Sequence, residues 1–154
     1  MPAFPSCHKL FPGAVLMLAV LAGGCDEALS TLAGPSPNLQ PTFSSIQSEV
    51  FEKTDAAGRA ACTQCHTDAG RNPSSGLNLR REVAYANLVG AASRSKAGAV
   101  RVIPGDAEHS YLIHKLEGSH EIVGERMPRT GGPYLTAGQI AIIKRWIDAG
   151  AKND

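Results

Sequence analysis

The sequence predicts a small all-α domain of four to five short helices joined by long loops. Apolar residues recur at helical intervals in several separate short stretches, and helix start and stop signals bracket those stretches. Sixteen glycines and ten prolines in 154 residues favour loops over a long regular bundle. Aromatic residues are only 5% of the chain, so side chains alone make a thin core. A large flat apolar body bound inside the domain would thicken it. The chain is long enough for one domain and little more.

Residues 1–24 read as a secretory signal. Lys9 supplies a positive start, Phe11 to Ala22 is apolar, and the run ends in the small residues Ala22-Gly23-Gly24. The run is too short for a membrane span. Leu21-Ala22-Gly23-Gly24-Cys25 resembles a bacterial lipoprotein signal, although Ala22 stands where a larger aliphatic residue is usual. Cys25 is therefore the expected lipidation site, and residues 25–43, with Pro35, Pro37 and Pro41, read as a tether. An ordinary cleaved signal that leaves Cys25 as a spare thiol is the alternative.

The domain proper is expected over 44–154. Phe43, Ile46, Val50 and Phe51 place a first helix from about Ser44 to Asp55, ended near Gly58. A second is expected from about Arg80 to Val89, stopped by Gly90. Val102-Ile103-Pro104-Gly105 turns into a third, with Asp106 placed to cap it and Gly118 to end it. The last is the best specified. Thr136 and Gln139 form a capping box, Leu135 can staple onto Ile140, and Ile140, Ile143 and Ile147 share one face with Trp146 beside them. That face is expected to pack on the first helix.

The chemistry concentrates in Cys62-Thr63-Gln64-Cys65-His66. Two thiols three residues apart on one helical turn can meet two vinyl groups on one porphyrin edge, and the next residue is an imidazole that can bind the iron. With Cys7 in the signal and Cys25 committed to lipid, these are the remaining cysteines. A backbone carbonyl near Pro73 is expected to accept the ring N–H of His66 and fix its orientation. Among the methionines, Met1 and Met17 lie in the signal, which leaves Met127 as the expected second axial ligand. His109, His114 and His120 compete for that position. A zinc site that joins Cys62 and Cys65 to His109 and His114, or to His114 and His120, is a rival reading, as is a thiol redox pair. Arg126, Arg129, Tyr134 and Trp146 are candidates to pair with haem propionates.

Net charge is +1 and no basic cluster is dense enough for a nucleic-acid footprint, so no nucleic-acid partner is expected. Cys62-Thr63-Gln64-Cys65-His66, Gly76-Leu77-Asn78-Leu79, Ile103-Pro104-Gly105-Asp106 with Ser110, Met127-Pro128, and Leu135-Thr136 leading to Trp146-Ile147-Asp148-Ala149-Gly150-Ala151 resemble the planctomycete-type cytochrome c domain over about 44–151. The resemblance implies a small all-helical cytochrome c fold around one covalent haem c. It puts Cys62 and Cys65 on the haem, with His66 as proximal ligand and Met127 as distal ligand. Arg129 departs from it, standing where a second proline often follows Met-Pro.

The expected function is electron transfer by a mono-haem c-type cytochrome, not enzyme catalysis. It would have transient redox partner proteins, no small-molecule substrate, and a lipid anchor on the periplasmic side of a bacterial membrane. A haem-c sensor or enzyme with a labile sixth ligand is the alternative from another class.

Overall fold

The computed structural model describes residues 33–154. The signal at 1–24, the Cys25 lipidation site and the first part of the expected tether lie outside the described residues. Among the described residues the chain is helical without β-strands, with a few isolated bridges such as that between Val89 and Val102. Four α-helices carry it: α1 (Phe43–Ile46), α2 (Ala84–Leu88), α3 (Tyr111–Glu117) and α4 (Ala137–Asp148). Tight turns at Cys62–Gln64 and Ser74–Gly76 punctuate the long loops.

α4 begins as its capping signals require. The Thr136 hydroxyl accepts from the Gln139 amide (3.2 Å), and the Gln139 side-chain oxygen accepts from the Thr136 amide (2.9 Å). The buried face of α4 carries Ile140, Ile142, Ile143, Trp146 and Ile147. It meets α1 through Phe43, whose ring centroid lies 5.6 Å from that of Trp146. Asp154 completes this crossing, because it accepts from the Phe43 and Ser44 amides through its Oδ1 and its carbonyl. These are orphan donors of the first turn of α1, which a carboxylate suits well. Thr136→Ala should cost about 1 kcal/mol of folding stability, read as a lower denaturation midpoint. An unchanged midpoint would mean that the box is ornamental.

Three expectations are corrected. The first helix is not uniformly α: at Gln47–Phe51 it widens into a π turn, with the Glu52 amide donating to the Gln47 carbonyl (3.0 Å). The Val50 and Phe51 carbonyls there accept from Cys62 Sγ (3.4 Å) and Thr63 Oγ1 (3.1 Å), so the turn is anchored to the cysteine motif. The tether, secondly, is docked from Ala33 onward. Ala33, Ser36 and Leu39 are buried, and Gln139 Nε2 donates to Ser36 Oγ (3.0 Å). Lastly, Asp106 does not cap α3. Ser110 stands at that position, while Asp106 accepts from the His109 amide one turn earlier (3.0 Å).

A buried ion pair stiffens the approach to the motif. Arg59 and Asp55, 1% and 7% exposed, meet at 3.1 Å. The carboxylate also accepts from the Ala57 and Arg59 amides, and Arg59 Nη1 donates to the Val50 and Ala60 carbonyls. Removing one member leaves a buried charge without its partner, so Asp55→Ala should cost roughly 3–5 kcal/mol. Chemical denaturation checks this, and a loss under about 1 kcal/mol would show that water relieves the charge.

Candidate functional site

The tight turn Cys62–Gln64 brings the motif together. The Cys65 and His66 amides both donate to the Cys62 carbonyl (3.2 and 2.9 Å), which puts His66 just beyond one closed turn. The Leu79 amide then donates to the His66 carbonyl (2.9 Å), and the Ser74 amide to that of Cys65 (3.2 Å). The His66 ring lies 3.1 Å from the Ser74 carbonyl through Nδ1. A carbonyl only accepts, so Nδ1 carries the hydrogen and Nε2 keeps its lone pair in the neutral ring. The expected carbonyl near Pro73 is thus found one residue on. Burial pushes the imidazole pKa down from its ordinary value, which favours that neutral form.

A cavity of about 430 Å³ opens beside this ring, within the range of roughly 300–1,000 Å³ typical of small-molecule and cofactor sites. Phe51, Leu77, Leu79, Leu88, Leu112 and Leu116 make its walls apolar. Cys62, His66 and Met127 all line it, although they are far apart in sequence. Cys65 is exposed and does not line it. The two thiols are free, and burial raises the Cys62 pKa against the opposing pull of Arg59.

Met127 is held at the cavity by α3. Its amide donates to the Lys115 carbonyl (2.9 Å), Arg126 Nε donates to the Leu116 carbonyl (2.7 Å), and the Val123 amide donates to the Tyr111 hydroxyl (3.0 Å). Lys115 Nζ grips the same loop through the Val123 carbonyl (3.1 Å) and the Glu125 carbonyl. Gly118, at φ 73°, lets the loop turn back at the end of α3; a Cβ there would sit 2.8 Å from the Arg126 side chain.

The competing histidines are elsewhere. None of His109, His114 and His120 lines the cavity. His109 Nδ1 is paired with Asp106 (2.8 Å), and His114 contacts Ser119 Oγ through Nδ1 (3.1 Å) and donates to the Glu108 carbonyl through Nε2 (2.7 Å). Among the described residues no three His, Cys, Asp or Glu side chains gather as a metal-binding group, so the four-ligand zinc set is not assembled. Of the four propionate candidates, Arg129 lines the cavity, 3.4 Å from Glu125. The others are diverted: Arg126 lies over the Tyr134 ring (4.1 Å), and Trp146 Nε1 donates to the Lys152 carbonyl (2.8 Å).

Lys115, Tyr111 and Arg101 belong to this site and were not singled out by sequence reasoning. The one signal for Arg101 is a charge directly before the apolar pair Val102-Ile103. No family model, curated protein or solved structure matches the chain.

Proposed function

We propose that the chain is an exported mono-haem c-type cytochrome that carries electrons. Cys62 and Cys65 would hold the haem through thioethers, with His66 and Met127 as axial ligands. The observation that supports it most is the meeting of Cys62, His66 and Met127 at one apolar cavity. A thiol at the edge, an imidazole with a free Nε2 and a thioether are the donor set that a covalent His/Met haem needs. The helical chain is compatible with the cytochrome c fold and with the planctomycete-type domain that the motifs resemble.

When bound, the haem supplies a reversible one-electron iron couple. The chain's own residues do the rest. The Ser74 carbonyl orients His66, α3 holds Met127 through the Lys115 carbonyl, and the leucine walls exclude water, which tunes the potential. With both His66 and Met127 holding the metal, no place for a substrate would remain on it, which would favour electron carriage over a sensor or enzyme. Redox partner proteins would dock transiently over a small area.

Localisation follows from the signal: the periplasmic side of a bacterial membrane, held by lipid on Cys25. Mass spectrometry of the native amino terminus tests the anchor. An unmodified Cys25, or a start further downstream, ends that part of the proposal. The central test is expression with and without the haem-attachment machinery. A haem-c absorption spectrum and a peptide mass increased by one haem are expected only with it; a colourless product of peptide mass in both cases overturns the reading.

A further inference from the structure

Arg101 is a buried cation without a counter-charge. It is 8% exposed and lines the same cavity as Cys62, His66 and Met127. Its Nη1 donates to the Asn87 carbonyl (2.8 Å), and its Nη2 to the Ser75 and Gly76 carbonyls (3.2 Å each). Those carbonyls fix the guanidinium in place but carry no net charge, and no carboxylate among the described residues pairs with it. Its charged neighbour is another cation, Arg94, whose side chain lies over Gly76. The other charged groups at the cavity are Lys115, Arg129 and Glu125, and Glu125 already faces Arg129.

Buried charges in proteins are paired or bound to a ligand. A guanidinium has more N–H donors than these three bonds use, and Nε and one hydrogen of Nη1 are left to donate to a carboxylate. We infer that Arg101 is the positioning residue for a carboxylate of the cavity's occupant, a haem propionate, with the Ser93 and Ser95 hydroxyls at the same cavity as further polar partners. This rests on the haem reading above. It assigns the buried anchor to a residue outside the Met127 loop. A purely structural Arg101, clamping the carbonyls of 75, 76 and 87, would affect stability alone.

The test uses haem-loaded protein with isotopically labelled propionate carboxyls, read by reduced-minus-oxidised infrared spectra and by the midpoint potential from about pH 5 to 8, above the ordinary carboxyl range. In the wild type the propionates are expected to be ionised at about pH 6 and the potential flat with pH. In Arg101→Gln a protonated carboxyl band should appear at that pH, and the potential should gain a pH-dependent step; Arg101→Lys should lie between. An Arg101→Gln protein with wild-type spectra and a flat potential overturns the inference while the haem reading stands. Should that variant not accumulate, the wild type decides: ionised propionates at about pH 6 support the pairing, and a protonated one overturns it. A colourless wild type overturns both.

Discussion

The double variant Cys62→Ala, Cys65→Ala is expected to accumulate without covalent haem, at peptide mass, and to lose much of its folding stability. The reason lies in the cavity that the haem would fill beside the buried core. An apolar void costs about 24 cal/mol per Å³, so 430 Å³ would cost roughly 10 kcal/mol if kept dry and unrelaxed. Collapse and water entry lower that figure, so it is an upper bound. It is nonetheless comparable with the ~5–15 kcal/mol that holds a typical domain together. Without the thioethers a porphyrin that enters the cavity is held by His66 and Met127 alone and can leave by dilution, whereas binding to the folded state stabilises that state. Mass spectrometry, the visible spectrum and a thermal melt read the outcome together. A double variant that keeps a haem-sized mass addition, or that melts with the wild type, would sink the idea that these two sulfurs hold the core filler.

How much of this was legible in the chain depends on whether the signal was local. The start of α4 was, because Thr136 and Gln139 complete each other's hydrogen bonds within one turn. So was the carbonyl that orients His66, since Asn72-Pro73 and Gly76 force the chain to turn back within a few residues of the ring. The face of α4 was legible too, although Phe43 on the opposing helix is the residue that reaches Trp146.

What escaped was non-local. Asp106 has the composition of a cap, but Ser110 Oγ donates to its carbonyl and closes a turn before α3 can start there. The prolines of the supposed tether suggest an extended chain, yet its described part folds into successive turns, with the Ser36 and Leu39 amides donating to the Ala33 and Ser36 carbonyls, and buries Ala33, Ser36 and Leu39 against the domain. Arg101 is the sharpest case. Its burial depends on carbonyls at 75, 76 and 87 that only the fold assembles, and no spacing rule encodes them. The same holds for Lys115, whose backbone carbonyl holds the Met127 amide while its ammonium grips the carbonyls of the same loop.

Met127→Ala is expected to lower the reduction potential on the order of 0.2 V, within the ~0.8 V that axial ligands span. It should also remove the far-red charge-transfer band of a ferric Met-ligated haem. A thioether favours ferrous iron, and its loss would expose a haem iron held there to water or to a harder ligand. Whether another side chain replaces it follows from the geometry. None of His109, His114 and His120 lines the cavity; His120 is exposed in the loop leading to Met127, His109 is tied to Asp106 through Nδ1, and both ring nitrogens of His114 are committed to Ser119 and the Glu108 carbonyl. Because the loop is tied to α3 through Lys115, Leu116 and Tyr111, it should keep its course after truncation, leaving an open site rather than a substituted one. The reduced variant should then bind carbon monoxide rapidly at neutral pH, where the wild type binds it slowly or not at all. Rapid binding by the wild type would instead indicate a labile sixth position and move the protein from electron carrier to sensor or enzyme. A variant with unchanged potential and band would show that the sulfur at 127 packs against the cavity wall without touching the metal, as a core methionine ordinarily does.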